Sequence, residues 1–335
     1  MYHFIVNPTA SSGKGLHIWD KVEKILIKEG ILYEVHIQNT EEETTKLVKK
    51  LTVREVWQEQ KDGLHNVKEV AVTSEEPDCH LVVLGGDGTL NAVLNGIEDF
   101  EHTILSCIRT GSGNDFARNM GIDKNVEHAL YGILHHEKEV ILDYGEITYQ
   151  IESEETKGEP LSLTKRFIIS SGLGYDADIC EEVSRSRMKR ILNKIHLGKL
   201  VYVAIGVKQI FTRKAADAVI CLDEKEKIVV PNLFFVVGMI HEKEGGGVPF
   251  CPHADATDGK LSVCLVKGMS KWKLLLAVAL VYVKKHFLFR EITEHTCKCM
   301  TIQTEKPQWF HMDGETPCKI TEASWRCRNG LRFLM

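Results

Sequence analysis

The run Gly85-Gly86-Asp87-Gly88-Thr89-Leu90-Asn91 is the densest chemistry in the sequence. Glycines between a strand and a helix let the backbone approach a ligand closely and take up positive φ. The first turn of a helix offers unpaired N–H groups and the positive end of the dipole, which together suit a phosphate. An acid in such a turn repels phosphate unless a cation sits between them. Asp87 therefore either orients Mg²⁺, directly or through water, or caps the helix. A second turn, Asn7-Pro8-Thr9-Ala10-Ser11-Ser12-Gly13-Lys14-Gly15, presents hydroxyls, backbone donors and one cation. It is not the P-loop pattern, because only one glycine precedes the lysine and Gly15 follows it. It reads as a phosphate-facing loop or as an N-terminal cap. A third turn, Gly111-Ser112-Gly113-Asn114-Asp115-Phe116-Ala117-Arg118, departs from the dinucleotide fingerprint because position 116 is Phe.

These turns need strands ahead of them and helices behind. Phe4-Ile5-Val6, Leu81-Val82-Val83-Leu84 and Thr103 to Ile108 supply the strands, and the unbroken apolar run at Leu81 fits a strand covered on both faces. Ile18, Val22, Ile25 and Leu26 recur at helical spacing, which predicts a helix over His17 to Glu29 closed by Gly30. Tyr33, Val35 and Ile37 alternate as a strand does. Leu90, Val93, Leu94 and Ile97 start a helix directly after the glycines. Glu41 to Gln60 is charged and reads as helical, and Lys61 to Pro77 reads as an insertion or long surface loop. Three such turns at the carboxyl ends of successive strands form one crevice, the place where open α/β sheets bind ligands.

The character changes near Glu139. Val140–Leu142, Arg166–Ser170, Ala218–Leu222, Leu233–Val237, Leu261–Val266 and Cys299–Gln303 read as strands, with helices at Ala177–Arg190, Lys199–Phe211 and Lys271–Phe289. The boundary falls near residue 138, giving an α/β half over 1–138 and a β-rich half over 139–335.

A net charge of -5 speaks against bulk nucleic-acid binding. Ten cysteines without a C-x-x-C spacing read as free thiols in a reducing, cytoplasmic setting. The first residues read as a strand and not as a signal peptide. The longest apolar run, Leu274 to Val283, is well short of the about 20 residues that cross a bilayer, so membrane contact is expected to be peripheral. Arg185, Arg187, Lys189, Arg190 and Lys194 form a basic segment that suits an anionic surface or a solvated helix face. An exposed strand edge would suit a homodimer.

The three turns, with Asp143-Tyr144-Gly145, Asp258-Gly259-Lys260-Leu261 and His311-Met312-Asp313-Gly314-Glu315, resemble the diacylglycerol kinase catalytic-domain family in order and over nearly the whole chain. That family includes soluble bacterial diacylglycerol kinases, sphingosine kinases and ceramide kinases, with NAD kinases as distant relatives. The resemblance implies a three-layer α/β nucleotide-binding domain followed by a β-rich sandwich domain, with ATP in the cleft. It implies nucleotide contacts at Asn7, Pro8, Thr9, Ser11, Ser12, Gly13, Lys14, Thr40, Gly85, Gly86, Asp87, Gly88, Thr89, Asn91 and Ser112. It implies an Asp–water–Mg²⁺ network on Asp87, Asp115 and Asp143. It places the catalytic base at Glu315 and a structural Mg²⁺ at the side chain of Asp258, with backbone oxygens near Asp255 and Lys260. Departures from the family pattern are Arg109-Thr110-Gly111-Ser112 in place of Pro-x-Gly-Thr, Ala92 in place of Glu, and a longer connection over 52–77. The activity implied is ATP-dependent phosphorylation of the hydroxyl of a membrane lipid, diacylglycerol foremost. A soluble-metabolite kinase of the NAD kinase type and a non-enzymatic nucleotide or lipid sensor are the alternatives.

Overall fold

The computed structural model describes residues 1–13, 15–53, 78–110, 114–151, 160–185 and 198–335, without the side chains of Ser11, Ser12 and residues 198–201. Strand β1 (Tyr2–Val6) leads into a short helical turn α1 (Ala10–Gly13) and helix α2 (Gly15–Glu29). Then follow β2 (Tyr33–Ile37), α3 (Glu41–Thr52), β3 (Cys79–Gly85), α4 (Asp87–Gly96), β4 (Thr103–Arg109), α5 (Asp115–Asn119) and α6 (Val126–Leu134). The strands are parallel in the order β2-β1-β3-β4. Their side chains alternate between two apolar layers, which is why each strand reads as a continuous apolar run. Phe4, Val6, Val82, Leu84, Ile104 and Ile108 pack with Trp19, Val22 and Leu26 of α2 and with Leu130 and Ile133 of α6. Ile5, Leu81, Val83, Leu105 and Cys107 face Val48 of α3, Leu90, Val93 and Leu94 of α4 and Phe116 of α5.

The second half comprises β5 (Glu139–Ile151), β6 (Leu161–Phe167), β7 (Ser170–Gly174), α7 (Tyr175–Arg185), α8 (Gly198–Thr212), β8 (Ala216–Leu222), β9 (Glu226–Leu233), β10 (Phe235–Met239), β11 (Leu261–Val266), α9 (Lys271–Val281), β12 (Ile292–Cys297), β13 (Cys299–Met312) and β14 (Lys319–Leu334). Its strands form two antiparallel layers, β6-β5-β14-β13-β8-β9 and β13-β7-β10-β11-β12. The long β13 belongs to both. Its first part pairs with β8 and β14, and Phe310–Met312 pair with β7 after a register shift between Gln303 and Gln308. Trp325, Phe167, Phe310, Leu173 and Ile302 fill the space between the layers. The fold is thus an α/β domain joined to a β-sandwich. The end of β14 returns to the first half, where Arg332 and Phe333 pair in parallel with Ile104 and Leu105 of β4.

Several expected elements differ in extent. The strand expected over Arg166–Ser170 breaks at Ile168 and Ile169, because the amides of Ile168, Ile169 and Ser170 turn to the Asp313 carboxylate. The strand expected over Leu233–Val237 breaks at Phe234, whose N–H donates to Val266 and whose carbonyl accepts from Tyr175. The helix expected over Lys271–Phe289 ends at Val281. Lys284 turns left-handed there and the Lys285 N–H donates back to the Leu280 carbonyl, the closure of a helix C-terminus. The helix expected over Glu41–Gln60 ends at Thr52, where Val53 turns extended. Residues 54–60, and those of the helix expected over Ala177–Arg190 beyond 185, lie outside the described residues.

Candidate active site

The Asn7 turn is built by local packing. The Asn7 carboxamide oxygen accepts from the Thr9 N–H at 2.9 Å and from the Thr9 hydroxyl at 2.8 Å. Its amide nitrogen donates to Thr89 Oγ1 at 3.0 Å, which ties the first turn to the second. Gly15 is required here, since a Cβ on it would lie 2.1 Å from the Asn7 carbonyl oxygen. Lys14 and the side chains of Ser11 and Ser12, all expected at the phosphates, lie outside the described residues. So do Gly111, Ser112 and Gly113.

At the second turn, Gly86 precedes the helix and Asp87 opens it. A Cβ on Gly85 would lie 2.5 Å from Thr89, so the strand runs onto the helix at the closest possible approach. The Asp87 carboxylate accepts from the N–H of Asp115 at 2.9 Å and from that of Phe116 at 3.3 Å. Asp87 thus holds the start of α5, while its own helix begins without a side-chain cap. Burial pushes its carboxyl up to about 6, and the nearby charges of Asp115 and Asp313 add to the rise. A small hollow at these strand ends is lined by Gly85, Gly86, Asp87, Arg109 and Asn114.

The second half reaches into this crevice at two points. Asp115 accepts from the Gly246 N–H at 2.7 Å, and Asn119 exchanges hydrogen bonds with the backbone of Lys243. On the other side, Asp313 and Gly314 form a tight turn with φ of +47 and +92, closed by reciprocal bonds between Met312 and Glu315. The Asp313 carboxylate accepts from Asn91 Nδ2 at 2.7 Å and from the three amides of residues 168–170. It clamps the Glu315 turn to the helix that Asp87 opens. Glu315 itself is exposed. Its charge reaches Glu41, whose carboxyl is pushed up by burial and then by Glu315. Glu41 in turn sits against Gly88, where an added Cβ would be 3.1 Å from Glu41 Oε1. Thr40, expected at the nucleotide, caps α3 by accepting from the Glu43 N–H at 3.2 Å.

The three aspartates expected around one metal divide into two groups. Asp87 and Asp115 stand together with Asp313. Asp143 is fully buried elsewhere, where its oxygens accept from Gly259 N and Asn329 Nδ2, both at 2.7 Å. Burial pushes the Asp143 carboxyl up, and the charges near it are those of Asp258 and Asp255. Its physical task is to hold the loop that carries the expected structural Mg²⁺ site. In that loop Asp255 Oδ1 accepts from Thr257, and Asp258 Oδ1 accepts from the Lys260 N–H at 2.9 Å. Among the described residues, no trio of side-chain ligands converges there.

Sequence reasoning missed Glu41 and the clamp of Asp313, although both adjoin residues it singled out. It also missed a buried group under the Glu315 turn. His311 Nε2 lies 2.9 Å from Asp176 Oδ2, Glu244 lies beside them with the Ser170 hydroxyl donating to it, and the Gly314 N–H approaches His311 Nδ1. Burial raises the Glu244 carboxyl. Burial alone would lower His311, but the charge and hydrogen bond of Asp176, with the charges of Glu244 and Asp313, together overcome it and raise the imidazole.

Residues 1–146 match the family model of the diacylglycerol kinase catalytic domain, and residues 169–329 match that of the YegS C-terminal NAD kinase beta sandwich-like domain. The "Putative lipid kinase YtlR" of Bacillus subtilis (strain 168) is 24% identical over 335 residues, covering 96% of each chain. A diacylglycerol kinase of Staphylococcus aureus (strain Newman) is 26% identical over 241 residues, 72% of this chain and 69% of that one. The crystal structure of a "putative diacylglycerol kinase" from Bacillus anthracis (strain Sterne) superposes with a TM-score of 0.69 at 18% identity, over 99% of this chain and 94% of that one. In order along the chain, the first half thus matches a diacylglycerol kinase catalytic domain and the second a YegS C-terminal NAD kinase beta sandwich-like domain.

Proposed function

We propose that the protein is an ATP-dependent lipid kinase that converts the hydroxyl of a membrane lipid, diacylglycerol foremost, into a phosphate monoester. The observation that carries this reading is the Asn91–Asp313 bond at 2.7 Å, which fixes the Glu315 turn of the second half to the phosphate-cradle helix of the first. An acceptor lying against that helix has a carboxylate at hand for its proton. The lipid hydroxyl oxygen attacks the γ-phosphorus, the bond to the β–γ bridging oxygen breaks, ADP leaves, and the hydroxyl proton passes to Glu315. The turns at Asn7 and Gly85–Thr89 supply backbone donors and the helix N-terminus for the phosphates.

Asp87 and Asp115 suit Mg²⁺. They offer oxygen only, as a hard cation requires, and the raised carboxyl of Asp87 reflects a buried acid beside other acids that a cation would relieve. When bound, Mg²⁺ neutralises charge on the β- and γ-phosphates.

A second feature supports a lipid acceptor. Helices α8 and α9 touch, and Phe211 meets Trp272 at 6.4 Å between ring centroids. Their outer faces leave Val203, Val207, Phe211, Trp272 and Leu276 exposed, as is Val283 in the turn after α9. Leu274, Ala277 and Val281 bury the inner face of α9. Lys271, Lys273, Lys284 and Lys285 rim the apolar surface, with Lys273 paired to Glu291 and Lys284 to Glu242. An apolar helix face with basic residues at its margin fits the headgroup boundary of a bilayer, so the protein docks peripherally. Among the described residues no helix is long and apolar enough to cross a membrane. Of the basic segment, Arg185 pairs with Glu181, and Arg187 to Lys194 lie outside the described residues.

Radiolabelled ATP and Mg²⁺ offered with diacylglycerol, phosphatidylglycerol, a sphingoid base, undecaprenol and NAD test the reading. Label should enter a lipid, diacylglycerol most rapidly. Label in NAD alone would replace the proposal with the metabolite-kinase reading.

A further inference from the structure

His3 on β1 and His36 on the edge strand β2 share one face of the parallel sheet with Glu34, which stands opposite His3 in the register. Three potential ligand atoms converge there. His3 Nδ1 lies 3.3 Å from His36 Nε2 and 3.3 Å from Glu34 Oε2, and His36 Nε2 lies 3.6 Å from the same oxygen. Hydrogen bonding alone does not account for this triangle. With one proton among the three atoms, at least one edge sets two lone pairs against each other. With protons on both nitrogens, the Glu34 edges are satisfied but two N–H groups oppose each other across the third. A cation at the centre satisfies all three edges together.

The dimensions identify the class of cation. A tetrahedral zinc ion with ligands at about 2.0–2.1 Å has ligand–ligand edges of about 3.3–3.4 Å. Two imidazoles and one carboxylate are a ligand set for late first-row divalent metals and not for Mg²⁺ or Ca²⁺. The histidines are largely covered, whereas Glu34 is half exposed, so a fourth position opens toward water. The other trio of close donors among the described residues, Asp176, Glu244 and His311, is fully buried, and its members already have partners beneath the Glu315 turn.

We propose that His3, Glu34 and His36 form a binding site for a late first-row divalent metal, Zn²⁺ in the first instance, which staples the edge strand β2 to β1. The site lies toward the start of β1, about 13 Å along the strand from the Asn7 turn, so it stands apart from the proposed phosphoryl transfer and does not depend on it.

The test uses the untagged full chain, stripped of metal and kept reduced. Titration with Zn²⁺ alone, followed by calorimetry, should show one equivalent bound and a raised thermal midpoint. Co²⁺ alone should give the visible absorption of a four-coordinate site. Glu34→Gln, an isosteric change at a half-exposed position, should weaken binding at least tenfold. The His3→Ala and His36→Ala double variant should lose the equivalent while keeping its circular dichroism. Absence of stoichiometric uptake by the wild type would overturn the proposal. So would an equivalent that persists unchanged in both variants, which would place the metal on the thiols.

Discussion

At the scale of the residue, Asp87 carries a cost that the site turns to use. Its carboxyl is pushed up to about 6, chiefly by burial, against an ordinary value of 3.8. Between those values the native chain holds a proton that the unfolded chain has already released. Stability therefore falls as pH rises through that window, and the cost is fully present above about pH 6. Asp87→Asn removes the charge. Without metal, its thermal midpoint should exceed that of the wild type above pH 6 by a stabilisation on the order of 1 kcal/mol, and the gap should close toward pH 4. Its Mg²⁺-dependent turnover should fall at least a hundredfold. A pH-independent difference in midpoint would contradict the assignment of the shift to this carboxyl. Asp87 was singled out from the sequence because strand–glycine–helix chemistry is local, whereas Asn91 and Asp115 entered only through the family resemblance. Glu41, Asp313 and the true neighbours of Asp143 were not legible in it. Their significance comes from partners far along the chain, such as Asn91 for Asp313 and Gly259 for Asp143.

At the scale of the element, the β-turn-α rhythm was legible because both layers of the first domain bury complementary faces of the same strands. Strand breaks at Ile168 and Phe234 were not, since each is imposed by a side chain or backbone partner from another element. Two glycines of the first turn separate two physical demands. A Cβ on Gly15 strikes the Asn7 carbonyl, whereas Gly13 has open space and only a φ of +93 to accommodate. Gly15→Ala should therefore lower ATP affinity at least tenfold and destabilise by about 2 kcal/mol or more, while Gly13→Ala should cost about 1 kcal/mol. Equal effects in calorimetry would show that close approach is not what position 15 demands. Helix α9 carries the other element-scale prediction. Trp272→Ala combined with Leu276→Ser should reduce sedimentation with anionic vesicles about tenfold, from the loss of two exposed apolar side chains. ATP binding should be unchanged, and undiminished sedimentation would remove this face from membrane docking.

At the scale of the whole molecule, the final strand decides how the halves relate. The sequence places the boundary near residue 138, where β-rich character begins. Yet Leu331, Phe333 and Leu334 are fully buried, and Phe333 pairs with Leu105 of the first half. Such a return is invisible to periodicity, which sees only neighbours in sequence. Because β14 runs through the sandwich and into the α/β sheet, thermal unfolding should proceed in one transition, and removal of residues 331–335 should abolish ATP binding. Two independent transitions in calorimetry would contradict a shared strand. The same joining of halves underlies the proposed chemistry, in which an acid from β13's closing turn serves phosphates held by the opposite domain. The most direct test is label transfer from ATP to diacylglycerol in mixed micelles by wild type and Glu315→Gln, with ATP affinity measured on both. Turnover should drop about 10²–10⁴-fold with ATP affinity within a factor of about three. Near-normal turnover in Glu315→Gln would contradict the role of Glu315 as the base.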